Sequence, residues 1–256
     1  MFQTHLFKDK VALVTGGGSG IGFSIARQLL QLGATVVISS RKEERLQKAV
    51  AALGALGPCR YRVLDIREPE QVQALAEDIA AHEGRLDILV NNAGGQFPSL
   101  AEDISFKGWN AVINNNLNGT FYVTQTMAKR FFITQKHGKV INIIANIYRG
   151  FPAMAHTGAA RAGVDNLTKT LAVEWSKYHI QLNAIAPGII KSTGLEQYPP
   201  EFLAGIENEI PARRLGTTDE VAYLATFLCS PMADYITGET VYIDGGQRLW
   251  GDQFKL

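Results

Sequence analysis

The chain has 256 residues, of which 46% are hydrophobic and 19% charged, ordinary proportions for a folded globular protein the size of one large α/β domain. A formal net charge of +1 removes any electrostatic case for nucleic acid or an anionic membrane as partner, and no apolar run approaches the ~20 residues that span a bilayer. Cys59 and Cys229 show neither CxxC nor metal-ligand spacing, so no metal site is expected and both read as reduced thiols of an intracellular protein. The first ten residues hold no apolar run of signal-peptide length. The last three, Phe254-Lys255-Leu256, depart from a peroxisomal Ser-Lys-Leu tail by a bulky Phe, and the expectation is a cytoplasmic protein.

Short β-branched runs alternate with longer helical segments, the pattern of a parallel sheet covered on both faces. Strands are predicted at 11–15, 35–40, 61–64, 86–91, 138–144, 180–186 and 239–243. Helices are predicted at 20–32, closed by Gly33, then at 41–53, 70–82 with Pro69 in the first turn, 108–134, 156–178 and 219–229. Segment 191–211 has weak periodicity and several breakers, and reads as a mobile helical lid or a loop insertion. No repeat, low-complexity tract or linker divides the chain, so residues 1–256 are read as one domain of the Rossmann class, a doubly wound parallel sheet of about seven strands between two helical layers.

Between the first strand and the first helix runs Thr15-Gly16-Gly17-Gly18-Ser19-Gly20-Ile21-Gly22. Gly16, Gly20 and Gly22 let the backbone turn tightly and approach a pyrophosphate, with Ser19 and Ile21 as cofactor-binding positions between them and the helix N-terminus supplying amide donors. The second strand ends in Ser39-Ser40-Arg41-Lys42, without the Asp or Glu that would accept from a bare ribose. Arg41 can fork onto a phosphate, Lys42 adds a point charge and the serines add small donors, so the cofactor is predicted to be NADPH.

The G-x-x-x-G-x-G spacing resembles the short-chain dehydrogenase/reductase family, and further motifs follow in that family's order along the whole chain: Asp65-Ile66, Asn91-Asn92-Ala93-Gly94, Asn116, Pro187-Gly188-Ile189-Ile190 and Asp244-Gly245-Gly246. The resemblance implies that Asp65 and Ile66 meet the adenine and that Asn92, Ala93 and Gly94 lie beside the adenosine. It also implies that Ile190, after Pro187 and Gly188, meets the nicotinamide carboxamide through its backbone. Asn116 matches the family's structural and catalytic Asn. The helix at 219–229 and the last strand resemble those forming a tetramer interface, which implies a homotetramer.

The helix 156–178 departs from the family. Where the family carries Tyr and, four residues on, Lys, this chain has Thr157 and Arg161, and the upstream Ser falls at Ile144 or Ala145. An i, i+4 pair lies on one helix face, so Arg161 can still hold ribose hydroxyls. Neither residue is a usable acid: an aliphatic hydroxyl is far less acidic than a phenol, and the Arg pKa lies above ~12. A ketone's alkoxide needs an acid in place as hydride arrives. A conjugated thioester needs only donors for its enolate oxygen, and its α-carbon can take a proton later from water.

Chemistry therefore points to C=C reduction, and Asn142-Ile143-Ile144, Gly150-Phe151-Pro152 and the run from His156 to Val164 resemble the peroxisomal trans-2-enoyl-CoA reductases, whose relatives the 2,4-dienoyl-CoA reductases also lack Tyr at the usual place. The latter recruit a Tyr from the loop after the fifth strand, where this chain has Tyr148. The expected activity is NADPH-dependent reduction of a 2-enoyl- or 2,4-dienoyl-CoA, with Tyr148, Thr157 and Asn116 near the thioester oxygen and Arg161 on the ribose. Asp165, one turn on, is read as a structural partner for Arg161. Two rivals stay open: a carbonyl or alcohol oxidoreductase with Tyr148 or His156 as relocated acid, and a non-catalytic NADPH-binding sensor or scaffold.

Overall fold

The computed structural model describes residues 3–192, 194–195 and 203–249. Its central sheet contains β1 (Val11–Thr15), β2 (Thr35–Ser40), β3 (Cys59–Val63), β4 (Ile88–Asn91), β5 (Gly138–Ile143), β6 (Ile180–Pro187) and β9 (Thr240–Ile243). All pair in parallel in the order β3-β2-β1-β4-β5-β6-β9. The order reverses between β1 and β4, which makes a crevice at the carboxyl ends of those strands. This is the predicted seven-stranded, doubly wound Rossmann architecture. β7 (Ile190–Lys191) and β8 (Gly216–Thr217) form a separate parallel ribbon that sequence periodicity is too short to reveal. They fasten the two ends of the predicted lid, of which residues 193 and 196–202 lie outside the described residues.

Burial on both faces explains the continuous apolar strands. In β1, Ala12 and Val14 face one core and Val11 and Leu13 the other, the period-two alternation of a strand. The first core is closed by α1 (Gly20–Gln31), α2 (Glu43–Leu53) and, further along, the helix Thr218–Cys229. Its buried stripe on α1, Gly22, Ile25, Ala26, Leu29 and Leu30, follows helical spacing. The second core lies under α3 (Pro69–His82) and a long helical run.

That run comprises α4 (Phe106–Ile113), a π-helical turn at Asn114–Asn118, α5 (Gly119–Met127), a second π turn at Ala128–Phe132 and α6 (Ile133–Gln135). Sequence periodicity predicted the helix and missed both π turns. α7 (Ala155–Glu174) ends earlier than predicted, because the chain tightens into a 3-10 turn at Ser176–Tyr178 before His179 turns left-handed at φ 56°. β3 begins earlier than predicted, because its register against β2 pairs Val36 with Cys59. The last helix, α8 (Thr218–Cys229), opens with a capping box in which Thr217 and Glu220 satisfy each other's backbone amides.

At the opposite end of the sheet, buried Asp87 accepts from Arg85 Nη2 (2.6 Å), Arg85 Nε (2.9 Å), Val11 N (3.0 Å) and Lys10 Nζ (3.3 Å), joining β1 to β4. Burial alone would raise this carboxyl's pKa, but the hydrogen bonds from Arg85 and Val11 and the nearby charges hold it below its ordinary value. A depressed folded pKa means that the contribution is full above the unfolded value and is lost as pH falls through the folded one. Asp87→Ala is expected to cost about 2 kcal/mol of unfolding free energy at pH 7 by denaturant titration, with the deficit shrinking under acid.

Candidate active site

The crevice is built on a clasp between β1 and β4. Thr15 Oγ1 accepts from the Asn92 and Ala93 amides, both at 3.0 Å, while Asn92 Nδ2 donates to the carbonyls of Thr15 (3.0 Å) and Gly16 (3.2 Å). Gly16 turns left-handed at φ 66°, where a Cβ would stand 2.7 Å from Asn92 Nδ2, and a Cβ on Gly22 would stand 2.5 Å from the Gly16 carbonyl oxygen. A side chain at either position would push into the cradle. Ser19 caps α1 in an extended conformation without using its hydroxyl, and the first turn of the helix carries no acid. The amides and positive dipole end of α1 are thus left for a pyrophosphate, which these residues fit. Ser192 lies over the turn, 3.8 Å from where a Gly20 Cβ would be.

On the adenosine side, Arg41 and Lys42 are exposed and Ser40 is half-buried. Ser39 differs from expectation: its hydroxyl is enclosed without a partner among the described residues, and its carbonyl accepts from Gly16 N at 2.7 Å. Asp65 is held by Arg67, which donates from Nε at 2.9 Å and also from its Nη2. The Arg67 hydrogen bonds hold the Asp65 carboxyl below its usual range, and Arg41 is close enough to add to the effect. Arg67 escaped sequence reading, because only the fold returns its side chain onto Asp65. Ile66 is buried, with its side chain against Gly119 of the long helix.

Arg161 and Asn116 converge on Gly94, where a Cβ would stand 2.4 Å from Arg161 Nη2 and 2.6 Å from Asn116 Oδ1. Asn116 Nδ2 donates to Gly95 O (2.7 Å) and to Val112 O (2.9 Å), and its Oδ1 accepts from Gly95 N (3.2 Å). Both amide hydrogens are committed to the main chain, so Asn116 joins the π turn to the loop after β4 and does not face the substrate space expected for it. Arg161 is buried and donates from Nη1 to Ile143 O (3.1 Å), but its Nε has no partner among the described residues. Burial pushes its pKa down to about 10, which still leaves it cationic at neutral pH. Asp165 does not pair with it, contrary to expectation, and accepts instead from Lys169 Nζ (2.6 Å) and the Thr240 hydroxyl. A buried cation without a counter-charge is costly unless a ligand meets it, and this one stands at the cofactor crevice.

Beside the crevice opens a cavity of about 600 Å³. Ile21, Pro187, Gly188 and Ile190, all predicted at the cofactor, share its wall, so the two spaces are continuous. Ile144, Phe151, Met154 and Ile189 make it largely apolar, and Asn146, Arg149 and Arg248 add polar groups. Tyr148 is not among these walls: 65% exposed, it turns outward at the tight turn Ile147–Gly150 and sets its ring edge-on to Tyr242 at 6.2 Å. Thr157 is enclosed, its hydroxyl 3.2 Å from His156 Nδ1. His156 is fully buried against Phe97, and burial lowers its pKa, so the ring is neutral at pH 7 and shut away from the cavity.

A family model described as enoyl-(acyl carrier protein) reductase matches residues 16–248. A peroxisomal 2,4-dienoyl-CoA reductase, (3E)-enoyl-CoA-producing, of Pongo abelii is 40% identical, covering 97% of this chain and 87% of its own. A Bacillus subtilis protein named a probable 2,4-dienoyl-CoA reductase, (2E)-enoyl-CoA-producing, is 39% identical over 94% of this chain and 98% of its own. The solved short chain dehydrogenase of Bacillus anthracis superposes with a TM-score of 0.86 at 41% identity, covering 96% of this chain and 99% of that one. The chain belongs to the short-chain dehydrogenase/reductase family. As a member of this family of oxidoreductases it is an enzyme that uses a nicotinamide cofactor.

Two outcomes test this geometry. Gly22→Ala is expected to weaken nicotinamide cofactor binding at least about tenfold in a fluorescence titration, since the added carbon meets backbone. Arg161→Met removes a lone buried charge at similar volume. It is expected to raise the apo-protein's unfolding free energy by about 1 kcal/mol while weakening cofactor binding.

Proposed function

We propose that this protein is an NADPH-dependent reductase of a conjugated C=C bond in an acyl-CoA thioester, a trans-2-enoyl- or 2,4-dienoyl-CoA, acting as a single domain of residues 1–256. The observation that carries this reading is the chemistry of the cavity wall. Among the described residues, no Tyr, His, Lys or Cys lines it. With Tyr148 turned outward and His156 enclosed, neither relocated acid is in place for a carbonyl reductase, whose alkoxide must be protonated as it forms. A conjugated thioester avoids that requirement, because its charge delocalises onto an oxygen that needs only hydrogen-bond donors. The relatives' names agree in substrate class. A large cavity open to the nicotinamide side speaks against a sensor without substrate.

The bound cofactor supplies a hydride. The residues of this chain do the rest: Arg161 holds the ribose, the Ile190 backbone meets the carboxamide, and the apolar wall packs against the acyl chain. For a dienoyl thioester, hydride at the far carbon followed by protonation at the α-carbon leaves a 3-enoyl product, whereas protonation at the γ-carbon leaves a 2-enoyl product. With no Tyr, His, Lys or Cys among the described wall residues, solvent protonates, and the 3-enoyl product is expected. Absorbance at 340 nm should fall with thioesters and stay flat with ketones. Tyr148→Phe should retain turnover within about twofold, and loss of more than about 100-fold would restore Tyr148 as donor.

Arg41 and Lys42, with no acid at the end of β2, support NADPH over NADH. Replacing both by Ala is expected to weaken NADPH about tenfold or more while leaving NADH binding unchanged. The described ends of 191–211 support a substrate lid, since Leu195, Leu203 and Ile206 reach the cavity. A homotetramer is supported by β9, which among the described residues has a neighbour on one side only, and by exposed Tyr223, Met232 and Tyr235 nearby. Light scattering at micromolar concentration checks it. The cytoplasm is the proposed location; the two thiols are unpaired, and among the described residues no helix is long and apolar enough to cross a membrane.

A further inference from the structure

Asn146 lies in the loop after β5 and was passed over in the sequence, where nothing in its surroundings marks it. Its main-chain amide donates to Pro187 O at 3.0 Å, fastening that loop to the end of β6. Its Nδ2 donates to Asp244 Oδ2 at 3.1 Å. Asp244, just beyond β9, is itself gripped by the amides of Gly246 (3.0 Å, to Oδ1) and Arg248 (2.8 Å, to Oδ2). A carboxylate only accepts, so the nitrogen end of the Asn146 carboxamide must face it, and the orientation of the amide follows from chemistry. One amide hydrogen is used. The other, on a side chain that lines the cavity beside Ile144, Gly188 and Ile190, has no partner among the described residues.

Resting on the reading of the protein as a reductase of conjugated thioesters, we propose that Asn146 is a catalytic residue whose free Nδ2–H donates to the thioester carbonyl oxygen, and that Asp244 is the positioning residue that orients it. Hydride forms a C–H bond at the far end of the conjugated system. The π electrons shift onto the carbonyl oxygen, where the Asn146 hydrogen bond strengthens as the enolate forms. The enolate then collapses as its α-carbon takes a proton from water, and solvent neutralises the hydroxide. Asn146 gives up no proton. It is a fixed dipole aimed at developing charge, the kind of group that works best in a site with little water. Gly188 lets Asp244 approach this wall, since a Cβ there would meet the Asp244 Cα at 2.8 Å.

The test uses 2,4-hexadienoyl-CoA labelled with 13C at the carbonyl. Isotope-edited infrared difference spectra of its complex with the enzyme and NADP+ report the carbonyl stretch, and NADPH oxidation reports kcat. In the wild type the stretch is expected below that of the free ligand. In Asn146→Ala it returns to the free value and kcat falls about 100-fold or more, with NADPH affinity within about twofold of wild type. Asp244→Ala is expected to reduce both the shift and kcat while KM moves little. If Asn146→Ala does not fold, Asn146→Leu keeps the volume and removes both polar atoms.

No shift in the wild type, a shift that survives in the variants, or a kcat within about threefold of wild type overturns the assignment. The substrate reading fails separately. A wild type that binds the labelled thioester but oxidises no NADPH with it removes the reductase, while a shift lost in Asn146→Ala still carries the donor.

Discussion

The clasp between Thr15 and Asn92 is the interaction on which the site depends. It sits where the strand order reverses, so the chain leaves β1 and β4 toward opposite faces of the sheet. One hydroxyl and one carboxamide hold those diverging ends within hydrogen-bond distance. Because the ends are held, the Gly16 turn comes so close to Asn92 that no side chain fits, and the loop through Gly94 is set where Arg161 and Asn116 can reach it. Cofactor cradle and reaction space are two sides of the same clasp.

Arg161 shows what replaced the family's Tyr–Lys pair. It is a buried cation with a backbone acceptor at Ile143 and, among the described residues, an unsatisfied Nε and no acid beside it. Such an arrangement is a cost to the apo protein and a gain to a complex that brings electron-rich oxygens. What it cannot do is pass a proton to substrate. Positive potential without acidity suits a reaction whose charge ends on an enolate oxygen, and it suits ketone reduction poorly.

The polar groups near the cavity divide by how their hydrogen-bonding capacity is used. Asn116 is held by the main chain, its amide donating to the carbonyls of Gly95 and Val112. Thr157 and His156 face each other in the interior. Asn146 alone of these combines a clamped orientation with an amide hydrogen left over at the cavity wall. In a site without a Tyr, His, Lys or Cys on its described walls, that difference separates a residue that shapes the pocket from one that can meet the substrate.

The sequence by itself determined the architecture, the cofactor class and the loss of the usual acid–base pair. Strand alternation, helical stripes and the glycines at 16, 20 and 22 are local rules, legible wherever neighbours along the chain decide the outcome. Which side chains face the reaction space was decided only by the tertiary structure. Tyr148, chemically the obvious donor, is carried outward by a tight turn three-dimensionally fixed between Ile147 and Gly150. Asn146 is aimed inward by Asp244, a residue 98 positions away in the chain. Arg67 closes on Asp65, and Asp165 leaves Arg161 for Lys169 and Thr240. The direction of a side chain depends on contacts between strands and loops remote in sequence, and one chain read alone carries no record of which of those contacts form.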